Sequence, residues 1–232
     1  VCFEVYCYTN CQEDEVSAEL RQKVDGWRNV QGKNWQEIAE IIHADEIDIL
    51  VDLAGHTAHN MLPVFAFKPA PVQVSGIGYF DTTGLSQMDY FLADPYTDPA
   101  ENEAFFTEQL LRLPHSHFCY MWHDAPGETG PLPAGRNGYI TFGSLNNIAK
   151  VNEQVLKVWS HILQQVPDSR LYLKAAGLNH DYGRKLLQQQ LEQAGISLER
   201  VVLAVSEPDY LHAYQDIDIA LDTFPYLGGG TT

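Results

Sequence analysis

Positive charge is scarce in this sequence. Its 232 residues include 14 Lys or Arg against 31 Asp or Glu, a formal charge of -17. A protein that grips DNA or RNA through the phosphates needs a cationic footprint, and so does one that docks on anionic lipid. Neither is present, so nucleic acid and membrane surfaces are not expected partners. Long apolar runs are missing as well. None reaches the roughly 18 residues of a membrane span, and no basic segment leads into an apolar one as in a secretory signal. Cysteine is sparse: Cys2, Cys7 and Cys11 crowd the first eleven residues and Cys119 stands far off. That is no disulfide framework, and a reduced, cytoplasmic setting is the expectation. Zinc fares no better, because there is no Cys-x-x-Cys pair and His115, His117, Cys119 and His123 fit no standard spacing. A Gly-x-Ser-x-Gly elbow, a Walker loop and the spaced glycines of a dinucleotide fingerprint are all absent.

What is present is alternation. Strands are expected at 1–8, 47–53, 72–77, 90–93 and 110–113, with helices at 14–27, around 35–42 and at 61–67. The near-continuous apolar run 47–53 reads as a strand buried on both faces. A Pro/Gly-rich stretch at 115–138 reads as a linker between two domains, 1–114 and 139–232. After it, strands at 139–143, 171–175, 201–204 and 217–221 alternate with helices at 152–166, 181–194 and 209–215. Such alternation predicts an α/β protein with parallel sheets. The chain opens inside an apolar run and stops in a Gly/Thr loop, as expected of a piece of a longer protein.

Two segments echo each other. Ile47-Asp48-Ile49-Leu50-Val51-Asp52 runs into Ala54-Gly55-His56-Thr57, and Ile217-Asp218-Ile219-Ala220-Leu221-Asp222 runs into Gly228-Gly229-Gly230-Thr231-Thr232. Ligands of open α/β sheets sit outside the carboxyl ends of strands, so each loop is a candidate site, although any two parallel strands share this look. The glycine loop offers backbone N–H groups and hydroxyls to an anion such as a diphosphate; a flexible turn would have the same composition. Lys150, in the strand-to-helix loop 144–150, is placed to neutralise a departing phosphate, although an exposed loop lysine is the commoner case. His56 is a candidate base or sugar-binding donor, against the alternative of a histidine satisfied by backbone. His212 falls in a short helix before the last strand, where it can equally face solvent. Asp216-Ile217-Asp218 has the spacing of a cation-binding pair but stands at the start of a strand and is expected to face solvent.

These residues carry a resemblance. Val51-Asp52-Leu53-Ala54-Gly55-His56-Thr57 resembles the Asp-Leu-x-Gly-His-Thr segment of the protein O-linked N-acetylglucosamine transferases, glycosyltransferase family 41. Phe67-Lys68-Pro69-Ala70-Pro71-Val72-Gln73-Val74, Gly78-Tyr79, Thr82-Thr83-Gly84 and Met88-Asp89-Tyr90 follow in the family's order. So do Asn146-Asn147-Ile148-Ala149-Lys150, Val166-Pro167-Asp168-Ser169-Arg170-Leu171, and Leu221-Asp222-Thr223 with the Gly-Gly-Thr-Thr end. The short linker is of the bacterial kind.

The resemblance implies a GT-B fold of two facing Rossmann-like domains, a UDP-sugar donor, and no metal or other cofactor. It implies an inverting transfer of N-acetylglucosamine to Ser or Thr hydroxyls of an acceptor protein, with tetratricopeptide repeats upstream. Asparagine glucosylation and a nonenzymatic UDP-sugar-binding module remain alternatives. By position, Lys150 matches a lysine on the UDP diphosphate, and Asn147 a position that is Gln in animal members. His212, Gly229, Gly230, Thr231 and Thr232 match nucleotide-binding positions, with Gly230 standing where some members have histidine. His56 matches a proposed catalytic histidine, with Thr57 and Gly78 near the sugar.

Overall fold

The structure is a computed structural model that describes residues 3–119, 130–207 and 210–229. Cys2, His123, Gly230, Thr231 and Thr232 lie outside the described residues. The chain divides into two compact units, Val1–Cys119 and Tyr120–Thr232. Among the described residues no helix is long and apolar enough to cross a membrane.

The first unit runs β1 (Tyr6–Thr9), α1 (Glu15–Arg21), β2 (Gly26–Asn29), α2 (Trp35–Ala44), β3 (Ile49–Asp52), α3 (Leu62–Phe65), β4 (Val72–Ser75), β5 (Tyr90–Ala93) and β6 (Gln109–Arg112). β1 and β2 form a two-stranded ribbon, and β3-β4-β5-β6 a four-stranded sheet. Every pairing is parallel, so each strand must be reached by a crossover. α2 starts at a capping box: Asn34 accepts from the Glu37 N–H while the Glu37 carboxylate accepts from the Asn34 N–H. Its apolar stripe then lands on the core, where Ile38 and Ile42 are each 1% exposed beside Val30, Leu50, Val64 and Phe65. Each such side chain contributes about 1.5–3 kcal/mol of burial.

The second unit runs α4 (Pro133–Asn137), β7 (Thr141–Ser144), α5 (Glu153–Gln165), β8 (Arg170–Ala175), α6 (Asp181–Gln193), β9 (Val201–Val205) and β10 (Ile219–Ala220). Trp159, Val155, Leu171, Leu187 and Leu191 knit both long helices to the sheet. The strand order is β10-β7-β8-β9, all parallel. The chain lays β8 and β9 outward on one side of β7 and returns to place β10 on the other. The order therefore reverses between β7 and β10.

Three expectations need correction. The helix expected over 14–27 ends at Arg21, and Trp27 lies in β2. Gly26 sits against the Tyr6 ring, where a Cβ would come within 2.3 Å of a ring carbon, so the chain is drawn into pairing with β1. β3 is not buried on both faces: Ile49 is 54% and Val51 44% exposed. Its free edge meets an open cavity of about 580 Å³ shared with Val5 and Cys7 of the β1 ribbon. The 115–138 stretch also carries structure at both ends. His117 is buried in the first unit, and α4 is tied into the second by an Ala134 N–H bond to Asp218 (2.8 Å) and an Arg136–Asp216 ion pair (2.6 Å).

Candidate functional site

The reversal between β7 and β10 marks the place where an open parallel sheet takes its ligand, outside the carboxyl ends of the two strands. Two loops meet there. In the loop after β7, Asn147 Oδ1 accepts from the Ala149 N–H (3.0 Å), starting a single 3-10 turn that ends at Lys150. Asn152 then caps α5 by accepting from the Val155 N–H (3.0 Å).

The loop after β10 is shaped from its own start and from that first loop. Asp222 Oδ1 accepts from Asn146 Nδ2 (3.0 Å), the Thr223 N–H (2.7 Å) and the Gly228 N–H (2.8 Å). Thr223, fully buried, donates its hydroxyl to the Tyr226 carbonyl (2.8 Å). Asn152 Nδ2 donates to the Phe224 carbonyl (2.7 Å). Lys150 Nζ donates to the Leu227 carbonyl (2.8 Å) and lies 4.4 Å from the centroid of the Tyr226 ring. An ammonium has three N–H donors; Leu227 takes one, leaving a half-buried cation with capacity for an anion at the switch point. Gly229 follows on the same loop.

His56, Thr57 and Gly78 belong to the other unit. At the end of β3, buried Asp52 accepts from the N–H groups of Ala54 (3.1 Å) and Gly55 (2.9 Å) and from Ser75 Oγ (2.7 Å). Gly55 has φ +51°, and a Cβ there would lie 2.3 Å from the Tyr79 side chain. The turn spends the Thr57 hydroxyl on the Ala54 carbonyl (2.8 Å) and leaves His56 exposed. His56 Nε2 is 3.0 Å from the Thr83 carbonyl, and its ring meets Tyr79 edge-on at 5.5 Å. A carbonyl only accepts, so Nε2–H donates, and in the neutral form of the ring the lone pair then lies on Nδ1. Gly78 has a packing reason of its own, since a Cβ there would stand 1.9 Å from the Leu53 carbonyl.

The structure thus groups Lys150, Asn147 and Gly229 at β7 and β10, and His56, Thr57 and Gly78 after β3 and β4. His212 lies exposed in the 3-10 segment Tyr210–Asp216 between β9 and β10. Asp218 does not face solvent as expected: it accepts from the Ala134 and Thr141 N–H groups, both at 2.8 Å. Among the described residues no three His, Cys, Asp or Glu side chains group to hold a metal.

Sequence reading missed several organisers. Asp222, Asn146 and Asn152 shape the Lys150 loop; the echoed strand-end Asp, the family segment around Asn146 and the helix start at 152 marked these residues without announcing that role. It also missed the buried pair of His117 Nδ1 and Asp94 Oδ2 at 2.7 Å. Asp94 Oδ2 accepts from the His117 N–H as well, and Oδ1 from those of Tyr96 and Thr97. Burial alone would raise the Asp94 carboxyl, but these donors outweigh it and hold it far below the usual carboxylate range.

Comparison with known proteins gives this geometry a family. The sequence profile of glycosyl transferase family 41 matches residues 1–124 and 132–232. The chain is 44% identical over 209 residues to the probable UDP-N-acetylglucosamine–peptide N-acetylglucosaminyltransferase SPINDLY of Solanum lycopersicum, covering 89% of this chain and 22% of that protein. It is 28% identical over 249 residues to the protein SEC of Arabidopsis thaliana, described in the same words, covering 99% of this chain and 24% of that one. The solved structure of a mutant O-GlcNAc transferase from Thermobaculum terrenum superposes with a TM-score of 0.91 at 38% identity, over 98% of this chain and 44% of that one. The fold class is therefore α/β of the GT-B type, and the chain spans about a fifth of the length of the curated relatives it matches. By profile, identity and fold alike, the chain belongs to glycosyl transferase family 41.

Proposed function

We propose that this chain is catalytic-core sequence of a protein O-GlcNAc transferase, moving N-acetylglucosamine from UDP to Ser or Thr hydroxyls of an acceptor protein with inversion. The observation that carries the reading is Lys150: a half-buried ammonium held on the β10 loop at the sheet's switch point, in an otherwise acidic chain. In the transfer, the acceptor oxygen bonds to the sugar C1 as the bond from C1 to the diphosphate oxygen breaks. The electron pair leaves on UDP, and the acceptor proton goes to a base. Lys150 stabilises the charge growing on the diphosphate, where preorganised donors act most strongly. His56 orients the sugar side or takes the proton on Nδ1. Asn147, His212 and the loop Gly229, Gly230, Thr231, Thr232 hold the nucleotide, with Thr57 and Gly78 near the sugar.

The reading brings with it a cytoplasmic setting and upstream tetratricopeptide repeats that recruit the acceptor. It includes no nucleic acid, no membrane, no metal and no other cofactor. The names of the relatives support N-acetylglucosamine over glucose as the sugar and a peptide as the acceptor. The test is the full-length protein incubated with UDP-GlcNAc or UDP-glucose and a mixed peptide pool, read by mass spectrometry. N-acetylhexosamine on Ser or Thr is the expected product. Hexose on Asn would move the protein to the asparagine glucosyltransferases, and nucleotide binding without product would make it a nonenzymatic module.

A further inference from the structure

We propose that Glu108 is a positioning residue for His56, acting through the peptide that joins Thr83 to Gly84; its catalytic meaning rests on the role given to His56 above. Glu108 is 6% exposed. Its Oε1 accepts from the Thr83 N–H (2.8 Å) and from the Thr83 hydroxyl, and its Oε2 from the hydroxyls of Thr82 (2.6 Å) and Thr107 (3.1 Å). No Lys or Arg among the described residues pairs with it. A buried carboxylate answered only by neutral donors is a costly way to pin a loop, so what it pins matters.

It pins a peptide plane. The Gly84 N–H donates to Thr82 Oγ1 (3.0 Å), the same oxygen whose hydroxyl goes to Glu108. In a trans peptide the N–H and C=O point opposite ways. Fixing the Gly84 N–H therefore aims the Thr83 carbonyl, and that carbonyl takes His56 Nε2 at 3.0 Å. Gly84 turns there with φ +70°, a left-handed conformation that suits glycine. The line from imidazole through the peptide and Thr82 hydroxyl to the carboxylate is one chain of donors and acceptors, each bond polarising the next. Its effect is to hold the Nε2–H tautomer and keep Nδ1 as the basic nitrogen.

The experiment uses the full-length protein labelled with ¹⁵N at histidine, the His56 signals being assigned by their loss in His56→Ala. Glu108→Ala should redistribute the His56 tautomers and lower kcat by up to about 10²-fold, the scale of a misplaced catalytic group, with little change in KM for the UDP-sugar. Glu108→Gln, which keeps an acceptor toward Thr83, should restore part of both. Thr82→Val removes the relay oxygen but leaves the Thr83 bonds, and repeats the tautomer change should Glu108→Ala fail to fold. Combining Glu108→Ala with His56→Ala should cost no more than His56→Ala alone. Unchanged His56 signals in both Glu108→Ala and Thr82→Val, or fully additive losses, would overturn the proposal. Should the tautomers shift while His56→Ala keeps its turnover, the positioning stands and the catalytic role of His56 falls.

Discussion

At the scale of single residues, Lys150 and Asp94 make opposite kinds of claim. Lys150 gains most when charge gathers on a departing diphosphate, so its removal should reduce turnover more than binding. Lys150→Ala is expected to cost about 10²–10³ in kcat, or roughly 3–4 kcal/mol, with a much smaller change in the affinity for the intact UDP-sugar by calorimetry. Lys150→Met keeps the stem over Tyr226 and should be nearly as damaging; near-normal turnover in both would reduce Lys150 to a loop clamp on Leu227. His212→Ala should do the reverse and weaken UDP binding more than turnover. Asp94 concerns stability. Replacing it with Asn turns one acceptor oxygen into an NH2 donor facing two N–H groups, which should destabilise the protein by about 1–3 kcal/mol in urea titrations. Because its folded value is depressed, the carboxylate's contribution is full above the unfolded value of about 3.9 and fades as pH falls below it. The variant should therefore lose stability less steeply than the parent under acid. Lys150 was legible because a lysine is conspicuous in so acidic a chain. Asp94 was not, since one Asp ending one strand looks like any other until His117 folds onto it.

At the scale of elements, the strand-to-helix loops were legible and the strand edges were not. Asn152 and the spacing of Val155, Trp159 and Ile162 announced α5 within a residue of its observed start. The region 14–27 misled because Val16, Leu20, Val24 and Trp27 keep helical spacing while only Glu15–Arg21 is helical, and α1 buries none of its residues. Periodicity there reported no packed face, and the Tyr6 contact at Gly26 decided the outcome. Gly78 offers a sharper test of what loops are for. Its hydrogen faces the Leu53 backbone, which cannot swing aside, so Gly78→Ala should cost about 1–3 kcal/mol as overpacking does and disturb the adjoining His56 turn. A Gly78→Ala protein with parental thermal stability and impaired turnover would show that the glycine serves the sugar and not the packing.

At the scale of the whole molecule, alternation announced parallel sheets, but no pattern in the chain stated that β10 lies beside β7. That adjacency is what turns Lys150, Asp222 and the glycine-bearing loop into one place, and it makes a prediction about metal. Enzymes that hold a nucleotide diphosphate with a divalent cation need carboxylates free at the carboxyl ends of strands. Here Asp222 is committed to Asn146, Thr223 and Gly228, Asp52 to its own turn and Ser75, and Asp94 to His117 and two further N–H groups. Asp216 and Asp218 hold α4 at the opposite ends of the strands. Among the described residues, Lys150 brings positive charge to the loops after β7 and β10 and needs no loading, while buried Lys174 in β8 is paired with Glu207. UDP binding to the full-length protein, followed by calorimetry, should therefore keep its affinity in excess EDTA. Hydrogen exchange should slow on UDP addition at 144–152 and 222–229, with or without the chelator. Affinity lost to EDTA and restored by manganese would mean that one of these committed carboxylates releases its partners for a cation, and the assignment of the charge to Lys150 would fail.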